Sequence, residues 1–385
     1  MKFSKVFKAS IFFSLAFVIS VAAVACSSAP ASSGKMLGSA DIHRVGLCDW
    51  QVMPVTTAFE NAEAAPSVAA LVEDGAGRLW AGTDVGVFVA ERAVASAPDL
   101  DWMHGEDHAA FAPGVTHALA LDPEGRVWRG TETGTLDYFE GERWQRVVGE
   151  PGQPAGGVPV RALTFAPDGS LWVGYGSVAV LAEDVLVARR APDGIWTAYA
   201  PAQVLGPSHD AAFVTALAVD AAGHLWAAGD GAGYFDGEAW TWFPIADRVF
   251  DLVIVPVGDL DGVVAEDVWV GTSDGVQRYV DGVWQPLESH GPALGLAVDS
   301  VQYVWAANGD SISRYRPDGG LDRWFVRGDG LPISLDRRED GFSLIYIGAA
   351  DTVWLVNQDV TRMLRGTWPG GKAIAPTPTP TCDCL

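Results

Sequence analysis

The segment Gly258-Asp259-Leu260-Asp261-Gly262, followed by Glu266-Asp267, sets carboxylates at alternating positions ahead of a glycine turn. Hard oxygen ligands in that order can wrap a Ca²⁺ ion. The candidate metal ligands are therefore Asp259, Asp261 and Asp267, although Val263 stands where a further acid is wanted and an EF-hand frame does not fit. A solvated insertion accounts for the same residues. His104-Gly105-Glu106-Asp107-His108 offers two imidazoles and two carboxylates, but no helix sets both rings on one face. No Gly-x-Ser-x-Gly elbow, His-Glu-x-x-His helix or phosphate-cradling glycine loop occurs, so no catalytic residue is assigned and no cofactor beyond that Ca²⁺ is expected. A paired-carboxylate hydrolase would draw its acids from distant segments and leave no local motif.

The elements that must position such groups are set by a tryptophan repeat. Trp80, Trp128, Trp172, Trp226, Trp269, Trp305 and Trp354 each follow an apolar strand, a turn and a Leu or Val, most often with Gly close behind. The period of roughly 45 residues suits a four-stranded propeller blade. In the clearest copy, Val214 to Asp220 alternates as a first strand, Ala221-Ala222-Gly223 turns, His224 to Gly229 is the second strand, and Gly233-Tyr234-Phe235 the third. Asp236-Gly237 is a favoured hairpin dipeptide, and Glu238 to Phe243 is the outermost strand. A second tryptophan set, Trp102, Trp144, Trp196, Trp240, Trp284, Trp324 and Trp368, occupies the outer strands. Both sets are expected to pack between blades. The fold class is therefore all-β: a seven-bladed β-propeller of four-stranded antiparallel blades over residues 47–368, closed by an N-terminal strand. Trp50, in Asp49-Trp50-Gln51-Val52-Met53, suits that closing strand better than Trp368, which is followed by Pro369-Gly370-Gly371. Residues 47–55 should pair with the blade that holds Trp354.

Loops from the outer strand of one blade to the inner strand of the next vary most in length: 103–116, 147–160, 197–213 and 327–341. Variable loops over a rigid scaffold carry binding function. They should share one face, placing His108, His209, Asp210, His290, Arg337 and Arg338 near its rim as candidate binding residues. Each reads more simply as a solvated loop residue.

The N-terminus carries Lys2, Lys5 and Lys8, an apolar run from Ile11 to Val24, then Ala25-Cys26, the order of an export signal over residues 1–25. That run is too short for a stable membrane-spanning helix of about 20 residues. Residues 26–46 read as a flexible tether and 369–385 as a disordered, Pro/Thr-rich tail. Cys48 could pair with Cys382 or Cys384 in an oxidising compartment. The 48 acidic residues outnumber the 25 basic ones, giving a net charge of −23. Such a surface repels nucleic acid and anionic lipid.

Two resemblances follow from these residues. Ala23-Val24-Ala25-Cys26 resembles a bacterial lipobox, with Ala23 where Leu is usual, which implies that Cys26 is the lipid anchor of an extracytoplasmic lipoprotein. Leu71 to Val87, with Asp74, Gly77, Leu79-Trp80, Gly82-Thr83 and Gly86-Val87, resembles the two-component regulator propeller repeat of periplasmic sensors. Family sensors continue into a membrane helix and a kinase, whereas this sequence runs into the Pro-Thr tail, so signalling through its own transmitter is not expected. The function expected is a non-catalytic, membrane-tethered propeller, a monomer, that binds a glycan, peptide or envelope protein. A propeller-fold lyase, glycosidase or lactonase, or a structural envelope component, is the alternative.

Overall fold

The computed structural model describes residues 49–54, 67–91, 101–103, 112–177, 185–205, 212–243, 245, 248–258, 264–326, 342–348, 351–357 and 362–367. Among these, the chain forms seven antiparallel sheets built from consecutive strands. Sheet I holds Val68–Glu73, Leu79–Thr83, Gly86–Glu91 and Asp101–Met103, and sheet II holds Thr116–Leu121, Val127–Thr131, Leu136–Glu140 and Arg143–Arg146. Sheet III holds Val160–Phe165, Leu171–Ser177, Val187–Arg190 and Trp196–Tyr199, and sheet IV holds Ala216–Val219, Leu225–Gly229, Gly231–Phe235 and Trp240–Phe243. Sheet V holds Val249–Gly258, Val264–Thr272, Gly275–Val280 and Val283–Pro286, and sheet VI holds Gly295–Val298, Val304–Ala307, Ile312–Tyr315 and Leu321–Phe325. Two-residue strands at Ala112–Pro113 and Ala212–Phe213 add to sheets I and III.

Sheet VII is composite. Its strands Phe342–Ile347, Thr352–Asn357 and Arg362–Thr367 are completed by Asp49–Pro54, with Trp50 opposite Gly366 and Val52 opposite Leu364. The N-terminal strand thus pairs with the sheet that holds Trp354, as the sequence predicts. First strands of consecutive sheets pack on one another from sheet I to sheet VII. Sheets VII and I also meet: the Glu73 amide donates to the Tyr346 hydroxyl at 2.9 Å, and Leu71 and Leu79 share an apolar cluster with Ile345 and Trp354.

The seven repeat tryptophans are buried, none more than 5% exposed. Removing one indole from water, about 150–250 Å², stabilises by roughly 4–6 kcal/mol before entropy is counted. Their polar N–H explains the acid in the repeat. In sheets I, II, IV and VI the indole donates to an aspartate six residues earlier: Trp80 to Asp74 at 2.9 Å, Trp128 to Asp122 at 2.8 Å, Trp226 to Asp220 at 3.1 Å and Trp305 to Asp299 at 3.0 Å. The other carboxylate oxygen accepts backbone amides of the turn, so one side chain fixes both turn and core. Sheets III, V and VII lack that acid, with Ala166, Val263 and Gly348 in its place. There an arginine of the third strand stands directly opposite the tryptophan: Arg189 by Trp172, Arg278 by Trp269 and Arg365 by Trp354. Their guanidinium carbons lie 5.7–5.9 Å from the rings, within cation–π range.

Glycine after the tryptophan lets sheets approach. A Cβ at Gly130 would meet Val160 Cγ1 at 2.1 Å, and one at Gly174 would meet Val214 Cγ1 at 2.6 Å, both on the next sheet's first strand or its lead-in.

The outer tryptophans pack less uniformly than the sequence suggests. Trp196 is buried and Trp144, Trp240 and Trp284 are half-buried, but Trp324 is 45% exposed. It lies on the last strand of sheet VI, where only one side is covered. The side chains of Trp102 and Trp368 lie outside the described residues.

Candidate functional site

First strands share an irregularity that the packing above does not use. In sheets I, II, III, V and VII the register shifts by one residue near the strand start, leaving Ala69, His117, Arg161, Phe250 and Ser343 without a Cα partner. Such a bulge re-aims the extra side chain, and bulges concentrate next to binding and active sites. All five lie at the end of the first strand that receives the connection from the preceding sheet, and the variable loops 103–116, 147–160 and 327–341 lead to those of sheets II, III and VII.

Two bulge residues of neighbouring sheets touch. Arg161 Nη1 lies 3.0 Å from His117 Nε2, and Arg161 Nε donates to the Gly176 carbonyl at 3.2 Å. Glu132, in the turn after the second strand of sheet II, contacts the same His117 Nε2 through Oε2, which is 3.5 Å from Arg161 Nη2. One ring nitrogen therefore faces a donor that needs its lone pair and a carboxylate that needs its proton. It serves one at a time. Burial, then the positive charge of Arg161, hold His117 below the ordinary histidine value of 6.5, against the opposing pull of Glu132. At neutral pH the imidazole is uncharged and can accept from Arg161.

Gly176 carries the arc onward. It pairs with Phe213, and a Cβ there would meet Phe213 Cβ at 2.2 Å, so only glycine permits the contact. The Arg248 guanidinium lies 4.3 Å from the Phe213 ring and 5.8 Å from that of Phe250. Its Nε is buried with no hydrogen-bond partner among the described residues, and burial lowers its pKa against the opposing charge of Asp230. Beside Phe250, Asp251 accepts the amides of Leu252 and, across to sheet VI, Leu296, both at 2.8 Å. Burial pushes its carboxyl up to about 6 despite those two donors.

Of the residues singled out in the sequence, His290 and Asp267 have described side chains. His290 stacks on Trp324, ring centroids 3.9 Å apart and planes 13° apart, which sets it against the outermost strand of sheet VI. Asp267 is buried and held by both Nε, at 2.8 Å, and Nη2 of Arg278. Asp267 pairs with Val255, three rungs from the Gly258–Val264 pair and about 10 Å along the strand from it. Arg278 thus neutralises Asp267. Asp259 and Asp261 lie outside the described residues, as do His108, His209, Asp210, Arg337, Arg338 and Cys26. Among the described residues no group of three or more His, Cys, Asp or Glu side chains could hold a metal ion.

The loop-centred reading of the sequence does not reach His117, Glu132, Arg161 or Arg248. For His117 and Arg161 the signal is in the repeat itself: at the position two before the strand's Leu, copies carry Ala69, His117 and Arg161, so titratable side chains stand where a small residue suffices.

No protein-family model matches the chain, and no curated protein sequence matches it. Solved structures do. The extracellular domain of the hybrid two-component system BT3049 from B. thetaiotaomicron superposes with a TM-score of 0.58 at 15% identity, over 80% of this chain and 39% of that one. The fold is propeller-like. A streptogramin B lyase is similar at TM-score 0.58 and 11% identity, over 82% of this chain and 96% of that one. YCF48, solved bound to D1 peptide, gives 0.54 at 14% identity, over 86% and 97%. This chain spans about two fifths of the BT3049 domain's length. At such identities the likeness is one of fold, and a propeller hosts many functions. Among the described residues no helix is long and apolar enough to cross a membrane.

Proposed function

We propose that the chain is an extracytoplasmic, non-catalytic binding propeller, closed as seven blades by its N-terminal strand and tethered through a lipid on Cys26. Its ligand, a glycan, peptide or envelope protein, docks at the end of the first strands where the loops converge. The observation that carries this reading is the contrast between a repeated Trp-centred framework and two neighbouring bulge residues, His117 and Arg161, that meet with competing demands on one ring nitrogen, close to Arg248 with its unpartnered Nε. Seven sheets, the Asp49–Pro54 pairing and the contacts between sheets VII and I support closure. The resemblance to sensor repeats and the fold likeness to an extracellular sensor domain support the extracytoplasmic setting.

Two measurements test it. Labelling cells with a palmitate analogue should mark the wild type and not Cys26→Ser, which should leave the membrane fraction; equal membrane retention of both proteins sinks the anchor. A thermal-shift panel of glycans and peptides should find a stabilising ligand whose effect is lost when residues 197–213 are replaced; a flat response throughout sinks the binding role.

A second reading, an enzyme of propeller architecture, is favoured by one observation: His117 is held neutral between an arginine and a carboxylate. It requires turnover that disappears in His117→Ala while ligand binding persists.

A further inference from the structure

An arc of residues runs from Glu132 and His117 of sheet II, through Arg161, Gly176 and Phe213 of sheet III, to Arg248 and Phe250 at the start of sheet V. We propose that it is a binding site for a small organic carboxylate that carries an O–H or N–H donor beside the carboxylate and an apolar substituent, an α-hydroxy or α-amino acid. The proposal rests on the ligand-binding reading above and gives it a chemical class.

Arg161 supplies the anion contact. A guanidinium has five N–H donors, and the structure commits Nε to Gly176 and one Nη1 hydrogen to His117. Glu132 stands 3.5 Å from Nη2, an ion pair without a hydrogen bond among the described residues. The side chain is only 25% exposed, so water completes its hydration poorly. A carboxylate arriving at the remaining Nη hydrogens makes the paired, charge-assisted contact that arginine geometry favours. Arg248 repeats the condition across Phe213, with a buried Nε left without a partner.

Glu132 and the two phenylalanines define the rest of the ligand. Glu132 is 48% exposed. Its charge disfavours a dianion such as phosphate, yet its oxygens accept from a hydroxyl or ammonium next to the bound carboxylate. Half-buried Phe213, packed on the Gly176 that accepts from Arg161, and Phe250 offer apolar rings within 4.3 and 5.8 Å of the Arg248 guanidinium for that substituent. Long-range repulsion from the acidic surface is screened beyond about 8 Å at physiological salt and does not outweigh a local arginine contact.

Isothermal titration of the full mature protein with L-phenylalanine and with L-phenyllactate tests the site, with phosphate, D-glucose and benzyl alcohol as comparison probes. Saturable binding of at least one acid is expected, weakened about tenfold or more in Arg161→Gln, the loss of one charged hydrogen-bonded contact. The preferred acid tells which donor Glu132 accepts. Should Arg161→Gln fold poorly, ring NMR signals of His117 in the wild type must still move on titration with the same acid. Binding of neither acid, equal binding of phosphate, unchanged affinity in Arg161→Gln, or stationary His117 signals would each overturn the assignment. If neutral glycans or peptides bind while both acids do not, the carboxylate class fails and the binding propeller survives; if nothing binds, both fail.

Discussion

Replacing Asp122 with alanine isolates the device that joins turn to core. Asp122 Oδ2 accepts the Trp128 indole at 2.8 Å and Arg126 Nε at 2.6 Å, while Oδ1 accepts the amides of Glu124 at 3.1 Å and Arg126 at 2.8 Å. Without the carboxylate, Trp128, 3% exposed, keeps a buried N–H with no acceptor, which costs about 1–3 kcal/mol. The two turn amides can reach water and add about 0.5–1 kcal/mol. Arg126 is partly exposed and retains Glu124 and Glu140, so its loss is counted as about 0.5 kcal/mol. Together these cost about 2–4.5 kcal/mol. Asp168, the corresponding turn's acid in sheet III, is half-exposed and bonds Ser170 and Arg189 but no indole. Asp168→Ala should therefore cost under about 1 kcal/mol. Urea unfolding of the mature protein, followed by tryptophan fluorescence at an unchanged m-value, gives both numbers. Equal losses in the two variants, or a loss under about 1 kcal/mol in Asp122→Ala, would refute the claim that the acid is there for the indole.

Three further outcomes follow from particular residues. The carboxyl of Asp251 is raised to about 6 from 3.8, so the folded state binds a proton that the unfolded state releases between those values. Stability from this group is full below about pH 4 and falls as pH rises through about 6, by on the order of 1–3 kcal/mol given its residual exposure; Asp251→Asn should flatten the melting temperature between pH 4.5 and 7.5, and an unchanged profile counts against it. His117 should titrate by NMR below 6.5, and Arg161→Gln should move its midpoint upward by removing a neighbouring positive charge; no upward movement would show that Arg161 does not act on the ring. Deleting residues 47–55 removes the fourth strand of sheet VII and should abolish the cooperative unfolding transition, whereas deleting 369–385 should not; a deletion of 47–55 that unfolds like wild type breaks the closure argument.

The strands and their order were legible because the repeat writes them several times over. Alternation, the Asp-x-x-Gly turns and the Trp-x-Gly stretch each mark the same boundary, and even the displaced closing strand was announced by Trp50 standing ahead of the first full copy. The site was not legible by the same route. Candidates drawn from loop histidines and acids fall on residues whose surroundings the chain does not write locally. Asp267 shows the reason: next to Glu266 it reads as a metal ligand, but its partner Arg278 faces it from the adjacent strand, and cross-strand partners are set by register. His117 and Arg161, 44 residues apart, meet only because their strands belong to adjacent sheets.

Two sets of arginines among the described residues differ by what surrounds them. Arg189, Arg278, Arg314 and Arg365 stand opposite a repeat tryptophan on the neighbouring strand. Arg78 and Arg126 reach the same region from the turn, bonding Asp74 and Asp122. In every sheet but IV, where His224 bonds Asp220, an arginine thus serves the tryptophan or its aspartate. These charges belong to the framework, and substituting any of them is a stability experiment. Arg161 and Arg248 stand apart: neither lies over a repeat tryptophan, both lie at the loop end of a first strand, and both retain donors unused within the described residues. The six framework arginines are each accounted for by a repeat tryptophan or its aspartate, whereas the anions that face Arg161 and Arg248 among the described residues are Glu132, at 3.5 Å, and the charge of Asp230, which makes these two the arginines to substitute first in the binding experiments.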